Sequence, residues 1–305
     1  MKISIIGAGG VGGYFGGMLA RAGQDVTFVA RGEHLKAMQE HGLEVQTTDG
    51  TFSIRPVQVV AYAGEMLEPD LILLTTKTYD LEDIAKQLNS VVKADTIIIT
   101  TQNGIDADEV VKKSLKKGQV YPGLIHIVAE RTAPGVIAQT GGLRRITFGD
   151  RSRSDNPQLK EIETMMIAAG VRAVASDDIV RDLWKKFSLI IPWAGLTSLY
   201  RLSIDQVLAV PESRDMYSRS LNEALAVAKA AGVQLPPDLH DEIIAFSEKT
   251  APGSKSSMLV DIEHGRQTEV ESLHGTFLRL AHELSVPVPV NEMVYAELKK
   301  LQPDS

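Results

Sequence analysis

The sequence contains no cysteine, which excludes disulfides and thiolate metal centres at once. It also lacks any run approaching the roughly 20 apolar residues needed to cross a bilayer. Its opening stretch, Met1-Lys2-Ile3-Ser4-Ile5-Ile6-Gly7, has too short an apolar run for a secretory leader and reads directly as a strand. A basic surplus is missing too: 39 Asp and Glu outnumber 32 Lys and Arg, for a formal net charge of −7. That balance disfavours nucleic acid and anionic membranes as partners, although a local cluster of cations can still hold a small anion. There is no internal repeat and no low-complexity tract. What is present is a chain of 305 residues, 44% hydrophobic and 23% charged. This suffices for two domains, each with its own core, and the expected compartment is the cytoplasm.

The first half alternates short apolar runs with amphipathic stretches, as parallel strands joined by crossover helices do. Ile3–Ile6, Val26–Ala30, Leu71–Thr75 and Ile97–Thr100 are continuous aliphatic or β-branched runs, the signature of strands covered on both faces. Glu44–Ile54 carries Asp49-Gly50 at its middle, a hairpin turn pair. Val136–Gln139 and Arg145–Phe148 flank Gly141-Gly142 and suggest an antiparallel extension at the sheet edge. From about Asp177 strand signals give way to helical patterns. Glu212–Ala231 sets Met216, Leu221, Ala224, Leu225 and Ala228 on one stripe, with Gly232 suited to its C-terminal cap. Helices over Ser257–His264 and Glu269–Leu284 follow. The expected architecture is α/β: a Rossmann-type doubly wound sheet domain over 1–175, then an all-helical domain over 176–305.

Gly7-Ala8-Gly9-Gly10-Val11-Gly12 matches G-x-G-x-x-G. It follows a buried strand and opens a helix, the context in which the pattern means a dinucleotide. Gly7 allows the tight turn, Gly9 lets backbone approach the pyrophosphate, and Gly12 lets helix and strand pack closely. Gly13, Gly16 and Gly17 suit close helix packing instead. About twenty residues on, where NAD enzymes carry an acid for the ribose hydroxyl, stands Arg31. A cation there suits the 2′-phosphate of NADP, with Glu33 as a competitor. Lys77 and Asn103 follow the third and fourth core strands, at the strand ends where doubly wound sheets collect ligands.

In the second half, Lys186 begins an apolar helix, and a lysine there ordinarily reaches out to water. Ser257 has a plain alternative as a helix cap. Thr268-x-x-Glu271 fits a capping box, so Glu269 has one as a first-turn acid. Together with Gly7–Gly12, Arg31, Thr76-Lys77 and Gln102-Asn103-Gly104, these residues nevertheless form an ordered series. It includes Leu183-Trp184-Lys185-Lys186, Ser256-Ser257-Met258-Leu259-x-Asp261 and Thr268-Glu269. The series resembles the ketopantoate reductases along nearly the whole chain.

The resemblance implies NADPH-dependent reduction of the 2-oxo group of ketopantoate to D-pantoate, a step in pantothenate and coenzyme A synthesis. It implies Lys186 as general acid, Glu269 as its orienting partner and Ser257 as the carboxylate contact. Asn103 and Lys77 would stand at the nicotinamide end, and the partner would be a small 2-oxo acid. A homodimer is compatible with all of this, and no metal is called for. One departure stands out. Relatives carry asparagines four and eight residues after the lysine, where this chain has Ile190 and Ala194. Pro192 falls between them and is expected to bend the helix or shift its register. An apolar pocket wall admits two alternatives: reduction of a different 2-oxo acid with an apolar or aromatic tail, or a non-catalytic NADP(H) sensor on the same fold.

Overall fold

The computed structural model describes residues 1–302. The chain divides into two compact units, Met1–Ile179 and Val180–Ser305.

The first unit carries ten strands. These are β1 (Lys2–Ile6), β2 (Asp25–Val29), β3 (Leu43–Thr47), β4 (Gly50–Ile54), β5 (Gln58–Val60), β6 (Leu71–Leu74), β7 (Ile97–Thr100), β8 (Gln119–Ala133), β9 (Val136–Gly149) and β10 (Arg172–Ser176). Five helices connect them: α1 (Gly10–Arg21), α2 (Gly32–His41), α3 (Leu81–Leu88), α4 (Ala107–Ser114) and α5 (Pro157–Ala168). The sheet order is β4-β3-β9-β8-β7-β6-β1-β2-β5, with β10 also paired to β9. From β5 to β8 every pairing is parallel.

Side-chain alternation explains why these strands read as unbroken apolar runs. Leu71, Leu73, Ile97 and Ile99 enter one core, shared with Phe15 and Leu19 of α1 and with Leu159, Ile162 and Met166 of α5. Their neighbours Ile72, Leu74 and Ile98 enter a second core with Ile84 and Leu88 of α3 and Val111 of α4. Helices thus cover both faces, as the Rossmann-type reading requires. The Asp49-Gly50 turn closes the β3–β4 hairpin as expected, Leu43 pairing with Ile54 and Thr47 with Gly50.

The antiparallel extension differs from expectation. Val136–Gln139 and Arg145–Phe148 belong to one 14-residue strand, β9, paired along the 15-residue β8. Gly141-Gly142 is an irregularity inside the ladder and not a turn: the register shifts there, and Gly142 takes φ +78°, which glycine adopts without strain. Nor is β9 an edge, since β3 and β10 pair with it.

The second unit contains no strand among the described residues and is built from α6 (Ile179–Tyr200), α7 (Ile204–Ala209), α8 (Pro211–Ala230), α9 (Leu239–Lys249), α10 (Ser257–Glu263), α11 (Thr276–Glu283) and α12 (Pro289–Lys299). Pro192 does not interrupt α6, which stays helical for 22 residues; its missing N–H withdraws one donor from the ladder. The buried stripe of α8 is turned slightly from the expected one. Tyr217, Leu221, Ala224, Val227 and Ala228 are buried, while Met216 and Leu225 lie at its margin.

Candidate functional site

The glycine turn sits between the C-terminal end of β1 and the start of α1. Gly7 takes φ +101°, and its N–H, like that of Ala8, donates to the Val29 carbonyl at 3.3 and 3.2 Å. Thr75 clamps the turn from β6, its hydroxyl donating to Ile6 O at 3.0 Å or Gly7 O at 2.7 Å. A Cβ added to Gly9 would meet nothing within 4 Å, so this backbone is open to a ligand. One added to Gly12 would lie 2.2 Å from Gly7 O and 2.3 Å from Thr75 Oγ1. Gly12→Ala is therefore expected to push α1 off the sheet and cost about 1–3 kcal/mol, read as a lowered midpoint in thermal unfolding. Unfolding at the wild-type temperature would show that helix and strand do not meet there. Gly13, Gly16 and Gly17 face Ile137, Phe28 and Val45 at comparably short range, consistent with the packing role expected of them. Gly10 has a reason the sequence did not disclose: the Ala129 carbonyl of β8 would stand 2.1 Å from its Cβ.

One pocket is lined by Gly7, Ala8, Gly9, Arg31, His34, Thr76, Asp80 and Arg131. Its lining suits a dinucleotide cofactor. The Thr76 hydroxyl is buried with no hydrogen-bond partner, and the open glycine backbone adjoins two exposed guanidinium groups, on Arg31 and Arg131. Glu33, the competitor of Arg31, is instead paired to Lys36 at 3.0 Å. Lys77 and Asn103 are half-buried at the ends of β6 and β7. Gln102 ties those two ends together, donating to Leu74 O at 3.1 Å and Thr76 O at 2.9 Å.

In the second unit Lys186 lies in the first half of α6 and Glu269 just ahead of α11, where it is 8% exposed. The two are electrostatically coupled. Crowding by protein atoms pushes the Lys186 ammonium down to about 8, while the Glu269 carboxylate pulls it up. Some of the lysine side chain keeps access to solvent. His274, also close to α6, is no rival acid. Burial pushes it down to about 4, and its Nε2 lies 3.1 Å from Ile191 O, so it is neutral at physiological pH.

The plain alternative for Ser257 does not describe the structure, whereas Glu269 does stand at the start of a helix that Thr268 caps. Ser256 caps α10, its Oγ accepting from Leu259 N at 3.1 Å, and Ser257 is exposed. The capping box does not form. Thr268 Oγ1 accepts from Val270 N at 3.3 Å and from Gln302 Nε2 at 2.6 Å, but Glu271 does not reach back to Thr268 N: it accepts from Tyr295 Oη and pairs with Lys299. The segment Glu271–Gly275 takes a π-helical turn, a local insertion common at functional sites. Ile190 is half-buried, Ala194 is buried, and Ser198, one turn further on, is completely buried.

Two family models match the chain: ketopantoate reductase PanE/ApbA over residues 3–153 and ketopantoate reductase PanE/ApbA C terminal over 178–302. An uncharacterized oxidoreductase, YkpB of Bacillus subtilis, is 31% identical, the match spanning 98% of each chain. The crystal structure of a PanE/ApbA family ketopantoate reductase from Ralstonia eutropha superposes with a TM-score of 0.91 at 27% identity, covering 99% of this chain and 98% of that one. A ternary structure of D-mandelate dehydrogenase with NADH and anilino(oxo)acetate has the same fold, with a TM-score of 0.89 at 24% identity over 99% and 98% of the two chains. No described helix is long and apolar enough to cross a membrane.

Proposed function

The chain belongs to the ketopantoate reductase family of oxidoreductases, and from that premise we propose that it reduces the 2-oxo group of ketopantoate with NADPH. The observation that carries this reading is the Lys186–Glu269 pair: an ammonium held near pH 8 beside a buried carboxylate. A binding-only protein has no use for a lysine poised to give up its proton.

NADPH, when bound, supplies the hydride to C2 of the substrate. Lys186 hydrogen-bonds the 2-oxo oxygen, stabilises the charge that gathers there and passes it one proton. Glu269 keeps the lysine protonated and aimed. The exposed Ser257 hydroxyl receives the substrate carboxylate. Gly7, Ala8, Gly9, Gly10, Val11 and Gly12 form the pyrophosphate turn, Arg31 reads the 2′-phosphate, and Lys77 and Asn103 serve the nicotinamide end. The balance is one 2-oxo acid, one NADPH and one proton giving one 2-hydroxy acid and NADP⁺. The first unit is assigned to the cofactor and the second to the substrate, in a cytoplasmic enzyme that can assemble as a homodimer. Assay of NADPH oxidation across a panel of 2-oxo acids tests the reading, and failure of every member to turn over would end it.

A second reading, an apolar 2-oxo acid as substrate, draws on Ile190 and Ala194. No amide at either position can meet the 4-hydroxyl of ketopantoate, and the Ser198 hydroxyl one turn further on is fully buried with no hydrogen-bond partner. An unpaired hydroxyl costs about 1–3 kcal/mol. The ratio of kcat/KM for ketopantoate to that for its 4-deoxy analogue, 3,3-dimethyl-2-oxobutanoate, is therefore expected to fall well short of the 10⁴–10⁵ that a fully hydrogen-bonded site achieves. A ratio near one, or inverted, favours the apolar substrate. A preference of several thousandfold for ketopantoate contradicts this view of the two positions.

A further inference from the structure

The dinucleotide pocket holds a second cation for which the glycine pattern gives no reason. Arg131 is near the end of β8, one hundred residues beyond Arg31, yet both line the same pocket. Neither guanidinium has an ion pair or hydrogen bond within the protein among the described residues. Asp80 is the one carboxylate of that lining, so the pocket's side chains carry a net positive charge in a protein whose total is −7. Glu130 precedes Arg131 in the chain but does not line the pocket.

His34 shows how Arg131 is brought there. The ring is 4% exposed. Gly135, in the turn between β8 and β9, donates its N–H to Nδ1 at 2.9 Å. Because that nitrogen accepts, the ring proton sits on Nε2, which donates to the Ala8 carbonyl at 2.7 Å. One imidazole at the start of α2 thus fastens the β8–β9 turn, four residues beyond Arg131, to the glycine turn. The Gly135 carbonyl is held as well, accepting from Glu44 N at 2.9 Å. Burial lowers the pKa of His34, and the Arg131 charge lowers it further. Charging the ring would replace the acceptor at Nδ1 with a donor facing the Gly135 N–H, so the latch needs the neutral form.

We propose that Arg131 is the second jaw of the 2′-phosphate site, closing on that phosphate opposite Arg31, and that His34 is the positioning residue that sets it there. The 2′-phosphate is chosen over the pyrophosphate because Arg131 shares its surroundings with Arg31 and His34, which flank the start of α2, and not with the N-terminal turn of α1 alone. Two guanidinium groups match a dianionic phosphate better than one in charge and in hydrogen-bond geometry. The inference rests on NADPH as the cofactor.

The test is titration of NADPH and NADH, by quenching of tryptophan fluorescence, against the wild-type protein and the variants Arg131→Ala, His34→Leu and His34→Gln. Arg131→Ala is expected to raise the NADPH dissociation constant roughly tenfold to hundredfold while leaving that of NADH nearly unchanged. His34→Leu is expected to lower the NADPH-to-NADH preference in the wild-type background and to leave it unchanged in the Arg131→Ala background. His34→Gln retains a donor for Ala8 and an acceptor for Gly135 and is expected to restore the preference. Equal losses of both cofactors in Arg131→Ala would assign Arg131 to the pyrophosphate and overturn the proposal, as would no loss at all. A shift in preference on His34→Leu that persists without Arg131 would remove His34 from the positioning role. If the wild-type protein itself does not distinguish NADPH from NADH, the cofactor assignment fails, a result separate from any behaviour of Arg131.

Discussion

Replacing Lys186 with alanine is expected to lower kcat for 2-oxo acid reduction by about 10²–10⁴ with NADPH affinity nearly intact, the effect of losing a general acid. The same residue sets a pH limb. The proton donor is competent only while protonated, and its pKa has been brought down from 10.5 to about 8. Reduction by the wild-type protein should therefore be full below that value and decline as pH rises through it. Glu269 opposes the downward push, so Glu269→Gln should move the limb to lower pH and cost less at neutral pH than loss of the lysine. His274 titrates near 4, too low to produce that alkaline limb. Near wild-type turnover in Lys186→Ala would remove the lysine from the chemistry and make Lys77 the next candidate. A limb that stays in place in Glu269→Gln would uncouple the pair.

Arg31→Ala is expected to raise the NADPH dissociation constant roughly tenfold to hundredfold, because it removes a charge-assisted contact worth about 1.5–3 kcal/mol. NADH has no phosphate at that position and should bind nearly as before. The pairing of Glu33 with Lys36 leaves Arg31 without a competing carboxylate partner, which is why the loss should fall on the phosphate contact. Salt should weaken NADPH binding to the wild-type protein more than to the variant, since the arginine is exposed and its interaction is screened. Equal losses of both cofactors would show that Arg31 does not read the phosphate.

How much of this was legible in the sequence depended on how local each cause is. The strands β1, β2, β6 and β7 were readable because helices cover both faces, so each strand is written as an unbroken apolar run. Gly7–Gly12 was readable because its turn, helix and close packing are all set within a few residues. The β8–β9 pair was not. Gly141-Gly142 looks the same whether it turns a chain or bulges a ladder, and only pairing with the distant β8 decides between them. Glu269 follows the capping Thr268, as a first-turn acid does, and only the tertiary structure shows that it is buried and acts on Lys186. Two adjacent serines gave no hint that Ser256 takes the cap and leaves Ser257 exposed. The direction of the Lys186 shift required weighing its burial against the Glu269 charge, and burial is a tertiary quantity. His34 is the clearest case. In sequence it is one more residue of an amphipathic helix, and its two partners lie 26 and 101 residues away.

The central claim is that this chain carries out reduction with Lys186 as the acid. Its most direct test is to incubate the wild-type protein and the Lys186→Ala variant with NADPH and ketopantoate and to quantify NADP⁺ and pantoate together. The expected result is catalytic, equimolar formation of NADP⁺ and D-pantoate by the wild-type protein, falling by two orders of magnitude or more in the variant. Tight NADPH binding with no pantoate formed, or equal product from both proteins, would contradict it.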